Sequence, residues 1–93
     1  MNIEELKHGH LLTPHAKRLR SRCIVLAPGQ EIGAHNTGEK EELIIILEGK
    51  AEVHMGSEVQ EVGAKHSIFI PTFTQHNIIN IGNDTLKYVY VTA

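Results

Sequence analysis

Three side chains of types that bind metal ions, His35, Glu42 and His76, stand at the ends of runs that favour β-strands. If Glu42 points into a barrel interior, side-chain alternation places Ile44 and Ile46 on the same face. An ionised carboxylate among apolar side chains needs a cation nearby, because an unpaired buried charge is very costly. A divalent cation held by two imidazoles and one carboxylate would meet that need and would leave coordination positions open for water, oxygen or a chelating molecule.

A second interpretation of the same three residues stays open, namely a metal-free cluster held together by hydrogen bonds. The chain carries 7 histidines among 93 residues, so two histidines and a glutamate are not by themselves a specific signal. Glu41 directly precedes Glu42 and offers a second candidate carboxylate. Spacing alone therefore favours a structural role over a metal site.

Composition limits the classes of protein to which the chain can belong. Hydrophobic residues make up 41% of it, charged residues 22%, and the formal net charge is -2, which argues against disorder and against a dedicated nucleic-acid binder. Cys23 stands alone, so no intrachain disulfide and no multi-cysteine zinc site can form. The longest apolar run, residues 43–47, is too short to span a bilayer, and the N-terminal residues lack a signal-peptide pattern. We expect a cytoplasmic protein with no membrane or nucleic-acid partner.

Turn-forming residues divide most of the chain into short runs rich in Ile, Val, Thr, Phe and Tyr. Such runs at this spacing are typical of an all-β sandwich or barrel. The expected strands lie near residues 21–27, 31–35, 42–48, 50–55, 58–62, 67–71, 76–81 and 86–92. We assign residues 1–20 to an N-terminal arm and residues 21–93 to a single folded domain.

Two segments resemble the conserved motifs of the cupin superfamily. Residues 29–49, which run from Gly29 through His35 and Glu42 to Gly49, are similar to the first motif. Residues 71–80, from Pro71 through His76 to Asn80, are similar to the second motif. The resemblance covers about residues 21–93 and implies a cupin jelly-roll β-barrel, also called a double-stranded β-helix.

The resemblance also implies a metal site and shows where this chain departs from the pattern. His35, Glu42 and His76 match three of the four metal ligands of cupins, which implies a divalent cation such as Fe, Mn, Zn or Ni as cofactor. Thr37 occupies the position of the fourth ligand, a histidine, and Phe73 replaces a motif glycine. Thr37 either lines an opened coordination position or bonds nearby backbone in a turn.

A small chelating molecule with carboxylate or hydroxyl groups is the expected ligand of a cavity at the barrel centre. The side chains expected to contact it are Thr37, Ile44, Phe73 and Tyr88. Asn80 shares a face with His76 by alternation, so it is a candidate to orient that histidine.

Three functions remain open at this point. The first is a small metalloenzyme, since dioxygenases, isomerases and decarboxylases all occur among cupins. The second is a non-catalytic module that binds a small molecule or a metal, and the third is a metal-free structural cupin dimer. One scaffold hosts many functions, so the motifs alone do not select among them.

The run from Glu42 to residue 48 is apolar on both faces, although an antiparallel strand of a small sandwich usually has one face in water. We therefore expect a subunit interface over Leu43, Ile45 and Leu47, in a homodimer as the commonest closed assembly. The alternative is that residues 8–20 of the same chain cover this strand.

Three arginines, Arg18, Arg20 and Arg22, alternate along residues 18–22. We interpret them as the solvated face of an edge strand, where charge discourages aggregation. The alternative is a clamp for a carboxylate or phosphate group, which arginine binds through two parallel hydrogen bonds.

Overall fold

The computed structural model describes residues 1–11 and 13–93, which form nine β-strands. The strands are β1 (Gly9–His10), β2 (Arg20–Leu26), β3 (His35–Asn36), β4 (Glu42–Glu48), β5 (Lys50–Met55), β6 (Glu58–Gly63), β7 (Ser67–Ile70), β8 (Gln75–Asn80) and β9 (Leu86–Thr92). Leu12, which belongs to the expected arm, lies outside the described residues. Among the described residues, none forms a helix long and apolar enough to cross a lipid bilayer.

The strands form two antiparallel sheets that face each other. One sheet has the order β1-β2-β9-β4-β7 and the other has the order β3-β8-β5-β6. Strands distant in sequence are neighbours in both sheets, as in a jelly roll. This arrangement confirms the all-β, jelly-roll fold expected from the sequence.

Side-chain alternation on β4 separates a buried face from an exposed one. Glu42, Ile44 and Ile46 are buried, whereas Leu43 and Ile45 are 40% and 37% exposed. This pattern follows from the period of two along a strand, with the buried residues facing the opposite sheet. The side chain of Glu42 is therefore directed inward, and Glu41 is the exposed neighbour.

The centre of the barrel is packed with apolar side chains. The buried cluster comprises Ile24, Leu26, Ile44, Ile46, Ala51, Val53, Ile70, Ile78, Leu86 and Tyr88. A barrel of this small size has an interior just wide enough for side chains to fill it. The cavity expected at the barrel centre is consequently filled by these side chains.

The expected strand at residues 31–35 is mostly irregular. Only β3 pairs with β8, and Glu31 makes one isolated bridge to Ile79. Between them Gly33 adopts φ 101°, which interrupts an extended strand. The shortened strand still sets His35 opposite His76 on β8.

Gly49 connects β4 and β5 at a point of close approach to the chain just before β9. Its φ is 87°, and a β-carbon at this position would lie 2.6 Å from the carbonyl oxygen of Thr85. Only glycine fits a backbone of that conformation at that distance. Gly49 thereby lets β4 turn into β5 while β4 remains paired with β9.

Part of the N-terminal segment joins the five-stranded sheet. Gly9 and His10 pair with β2, the amide of Leu11 donates to the carbonyl of Ser21, and the amide of Val25 donates to His8 Nδ1. These bonds pair the edge of β2 that would otherwise have unpaired backbone groups. The boundary at residue 20 between arm and domain stays a prediction.

Candidate functional site

Two histidines meet across the short β3–β8 ladder. His35 is the register partner of His76, and their ring centroids lie 4.8 Å apart with the rings inclined by 58°. His76 is 2% exposed, whereas His35 is open to solvent. The fold thus brings together two imidazoles that are forty-one positions apart in the chain.

Glu42 approaches the same point from the facing sheet. It is 6% exposed, and its Oε2 atom lies 3.2 Å from His76 Nε2. The relative direction of the two groups is not that of a hydrogen bond, so Nε2 has no hydrogen-bond partner among the described residues. An unpartnered buried nitrogen beside a buried carboxylate is rare in native structures and calls for an explanation.

Backbone carbonyls fix the orientation of both rings. His35 Nδ1 donates to the carbonyl of Gly33 at 2.9 Å, and His76 Nδ1 donates to the carbonyl of Thr74 at 3.1 Å. A carbonyl only accepts, so each Nδ1 carries hydrogen and each Nε2 presents a lone pair when the ring is neutral. Such a bond to the far nitrogen is the usual support of a metal-binding histidine.

The electrostatic environment favours the protonated form of His76 when nothing else is bound. The adjacent Glu42 carboxylate raises the pKa of His76 above its ordinary value near 6.5, and the Thr74 carbonyl acts in the same direction. Burial lowers the pKa but does not outweigh the carboxylate. Glu42 therefore attracts a positive charge to this position, whether a proton or a metal ion supplies it.

The side chains of His35, Glu42 and His76 are of types that bind cations. Two of them, Glu42 and His76, also lie at a distance from each other that one bound cation would require. Two ligand atoms bound at about 2.1 Å and at right angles lie roughly 3 Å apart, close to the 3.2 Å between Glu42 Oε2 and His76 Nε2. No group of three or more His, Cys, Asp and Glu side chains in residues 1–11 and 13–93 converges in a way that would hold a metal ion. Glu42 and His76 are therefore placed as two ligands of one cation would be. The exposed ring of His35 would have to turn toward them to become the third ligand.

The hydroxyl of Thr37, at the position of the missing histidine, forms two hydrogen bonds to the backbone. Its hydroxyl donates to the carbonyl of Pro71 at 2.6 Å and accepts from the amide of Thr74 at 3.0 Å. Of the two interpretations left open by the sequence, this geometry favours backbone bonding. The partners lie in the second motif rather than in the turn at Gly38, so Thr37 ties the two motif segments together.

A cavity of about 290 Å³ adjoins these residues. Its lining consists of His10, Arg20, Ser21, Arg22, His35, Asn36, Thr37, Lys40, Glu42, His76, Tyr90 and Thr92. Three of these residues, Arg20, Arg22 and Lys40, are basic, whereas Glu42 is the one carboxylate in the set. The basic side chains favour a small anion in the part of the cavity away from Glu42.

Arg20 and Arg22 contribute to this cavity, contrary to the expected solvated edge. On β2 they share a face with Ile24 and Leu26, which are core residues, and Arg22 is the register partner of Tyr90 on β9. Period-two alternation with the apolar residues that follow could have placed Arg22 inward from the sequence alone. Sequence analysis also missed the cavity positions of His10 and Lys40, for which no local pattern gives a signal.

The four residues expected to contact a small-molecule ligand lie in different parts of the structure. Thr37 lines the cavity, Ile44 and Tyr88 lie in the packed core, and Phe73 is 70% exposed outside it. Burial raises the pKa of the Tyr88 hydroxyl far above its ordinary value, and the charge of Glu42 raises it further. Tyr88 thus stays neutral at any physiological pH and is not suited to act as a base.

Asn80 lies on the face of His76 as expected but bonds elsewhere. Its side-chain amide donates to the carbonyls of Leu26 and Asp84, and its oxygen accepts from the amide of Gly82. These three bonds fix the end of β8 and the turn that follows it. Within the described residues, none of these bonds joins Asn80 to His76.

A second, larger cavity of about 440 Å³ opens between β5, β6 and β7. Its lining residues include Met55, Glu58, His66 and Phe69, and none of them lines the first cavity. His66 Nδ1 faces the carbonyls of Gly63 and Ala64, as expected for a turn residue. Within the described residues, this cavity has no group of three or more His, Cys, Asp or Glu side chains that could hold a metal ion.

Comparison with known proteins gives consistent matches along most of the chain. The family Cupin_2, described as a cupin domain, matches residues 23–92. The polyketide synthase CurC of Streptomyces cyaneus is 30% identical over 83 residues, and an uncharacterized protein of Methanocaldococcus jannaschii is 33% identical over 85 residues. These matches cover 86% and 91% of this chain, which spans 54% and 66% of the two relatives.

Solved structures share the arrangement of the two sheets. The crystal structure of a predicted oxalate decarboxylase from Thermotoga maritima has a TM-score of 0.83 and 28% identity, with 89% of this chain and 75% of that chain covered. An uncharacterized protein with a double-stranded β-helix domain from Klebsiella pneumoniae has a TM-score of 0.84 and 22% identity, with 100% and 80% covered. The latter likeness concerns the fold alone.

Proposed function

The chain belongs to the cupin family, and we propose that it is a small-molecule-binding domain whose site holds one divalent cation through His35, Glu42 and His76. The observation that carries this proposal is the buried His76 Nε2, which has no hydrogen-bond partner among the described residues and lies 3.2 Å from the buried Glu42 carboxylate. A cation between two imidazoles and a carboxylate would occupy both groups at once. Waters or a chelating ligand would fill the remaining coordination positions.

Each residue of the site has a defined part in this proposal. A bound divalent cation would supply Lewis acidity toward an oxygen atom of the ligand. Glu42 supplies the negative charge, and the Thr74 carbonyl holds the ring of His76 with Nε2 as the binding atom. His35 completes the set when its exposed ring turns toward these two residues. Thr37 keeps the two motif segments together, and its neutral hydroxyl is a poorer metal ligand than an imidazole nitrogen.

Decarboxylation of a small carboxylic acid is a second candidate function. It is favoured by the similarity to the predicted oxalate decarboxylase from Thermotoga maritima, at 28% identity over most of this chain. The basic residues of the cavity, Arg20, Arg22 and Lys40, are consistent with an acidic substrate. Because 28% identity leaves the reaction open, binding is the primary proposal and turnover the additional one.

Metal analysis of protein purified without a histidine tag tests the proposal. We expect about one divalent cation per chain, lost in His35→Ala and retained in the control His66→Ala, since His66 is exposed and outside the site. The melting temperature should rise with added cation, because a ligand that binds only the folded state stabilises it. Absence of metal after loading with Fe, Mn, Zn and Ni, or equal loss in His66→Ala, would refute the cation site.

The partner we propose is a second copy of the chain, bound through the outer face of β4 and β7. Leu43, Ile45 and Phe69 are 40%, 37% and 54% exposed, and Leu43 is the register partner of both Phe69 and Val91. The N-terminal segment pairs with β2, at the other end of this sheet. This apolar patch of exposed side chains supports a two-fold dimer in which the patch contacts its own copy.

A further inference from the structure

We infer that the second cavity, of about 440 Å³ between β5, β6 and β7, binds a small organic amine, with the ammonium group at Glu58 and the hydrocarbon part against apolar side chains of the two sheets. This site is separate from the proposed cation site, because none of its lining residues in the described chain lines the first cavity. It therefore goes beyond the proposed function and requires no metal ion.

One part of the lining is apolar, because inward-facing side chains of both sheets meet there. Val53 and Val62 belong to the four-stranded sheet, and Ile68 belongs to β7 in the five-stranded sheet. Val53 is a buried member of the core, and the partly buried Val62 and Ile68 pack against that core. An apolar surface within a concave site favours a ligand that has a hydrocarbon part.

The second feature of the lining is its charge. Glu58 and Glu61 line the cavity, to which the described part of the chain supplies no lysine or arginine. The carboxylate of Glu61 is paired on the cavity rim, since its Oε2 atom lies 2.9 Å from Lys50 Nζ. Glu58 has no basic side chain within 4.0 Å in residues 1–11 and 13–93. Its negative charge is therefore available to a bound cation.

Alternation along β6 places Glu58 on the same face as the apolar lining. Glu58, Gln60 and Val62 are successive residues of this face, and Val62 packs against the core. Glu58 is also the register partner of Met55, next to the turn that joins β5 to β6. The carboxylate thus stands at one end of the cavity, beside the apolar surface and open to solvent.

These features determine the chemical class of the ligand. A carboxylate without a counterion attracts an ammonium group, while the attached hydrocarbon part displaces water from the apolar side chains. A metal ion does not suit the cavity, because no group of three or more His, Cys, Asp and Glu side chains among the described residues could hold one. The volume of about 440 Å³ lies within the roughly 300–1,000 Å³ of small-molecule sites. A primary amine attached to a single aromatic ring or a short aliphatic chain meets these requirements.

Calorimetric titration of 2-phenylethylamine in the presence of a chelator tests the inference, with 2-phenylethanol as the neutral analogue. We expect saturable binding of one amine per chain, and binding of the alcohol that is at least about threefold weaker, since the alcohol brings no charge to the carboxylate. Glu58→Gln should weaken the binding of the amine by the same factor and leave that of the alcohol unchanged. Glu48→Gln is the matched control, because Glu48 is exposed and lines neither cavity, and it should bind both compounds as the unchanged protein does.

Val62→Thr tests the apolar part of the site separately. Threonine keeps the branched shape of valine and replaces one methyl group with a hydroxyl. We expect this variant to weaken the binding of the amine and of the alcohol to the same degree, about threefold each. A variant that binds both compounds as tightly as the unchanged protein would contradict the apolar contact.

Changes in the amide resonances of ¹⁵N-labelled protein locate the bound amine. We expect shifts at Gln60 and Val62 and none at Asn36 or Thr37, which line the first cavity. Absence of saturable binding, equal binding of amine and alcohol, an unchanged affinity in Glu58→Gln, or shifts confined to the first cavity would each overturn the inference. Absence of metal binding together with Glu58-dependent amine binding would refute the proposed function and leave the amine site standing.

Discussion

At the scale of single residues, the site depends on one buried carboxylate. Glu42 follows Glu41 in the chain, yet only Glu42 lies on the inward face of β4, where it reaches His76. The difference arises from alternation, since Ile44 and Ile46 must face the core and Glu42 shares their face. The buried carboxylate of Glu42 stabilises either a proton on His76 or a proposed metal ion beside it. The proton and the metal ion compete for the same lone pair on His76 Nε2.

This competition predicts a pH dependence for the metal-free protein. The pKa of His76 is raised in the folded state, so its contribution to stability is full below the unfolded value near 6.5. That contribution is lost as the pH rises through the folded pKa. The melting temperature in the presence of a chelator should therefore fall between pH 6 and pH 9.

Glu42→Gln is the control for the pH dependence, because it removes the charge and keeps the size of the side chain. The decrease in melting temperature between pH 6 and pH 9 should be smaller in this variant than in the unchanged protein. An equal decrease in both proteins would show that other groups cause it. Added cation should bind more tightly as the pH rises, since binding must displace the proton of His76.

At the scale of elements, alternation and turn residues were sufficient to predict the main strands. The runs near 42–48 and 50–55 correspond to β4 and β5, with Gly49 between them. The strand expected at 31–35 is wrong in extent because Gly33 takes a positive φ, which periodicity does not reveal. Family resemblance identified His35 and His76, but the pairing that places them side by side is a long-range property of the sheet.

The turn between β7 and β8 contains a residue that its backbone conformation disfavours. Phe73 replaces a motif glycine and has φ 52°, while its amide donates to the carbonyl of Gly38. A side chain in the left-handed region costs roughly 1–2 kcal/mol. We expect Phe73→Gly to raise the free energy of unfolding by about 1 kcal/mol, measured by urea denaturation.

Phe73→Ala distinguishes relief of the backbone from removal of the ring. Alanine keeps the β-carbon and therefore keeps most of the conformational cost. We expect no gain in stability for this variant. A gain equal to that of Phe73→Gly would mean that the exposed aromatic ring, and not the positive φ, destabilises the turn.

At the scale of the whole molecule, the proposed dimer makes a direct prediction of mass. The chain weighs 10.3 kDa, and light scattering after gel filtration should give twice this value. Phe69→Asp places a charge in the apolar patch and should yield the single-chain mass, because an unpaired charge is costly in a buried interface.

Val59→Asp is the matched control for the dimer. Val59 is 54% exposed, as Phe69 is, but it lies on β6 in the other sheet. This variant should keep the mass of the unchanged protein. A single-chain mass for the unchanged protein, or dissociation of both variants alike, would contradict an interface on β4 and β7.

The position of β9 between β2 and β4 affects how the protein is made. The ribosome synthesises both flanking strands well before Leu86–Thr92, so the edge of each strand that pairs with β9 is unpaired while the intervening chain emerges. Tyr90 and Thr92, which complete one wall of the binding cavity, arrive with that late strand. A nascent chain of this protein should therefore be unable to bind the proposed ligand until the closing strand has left the exit tunnel.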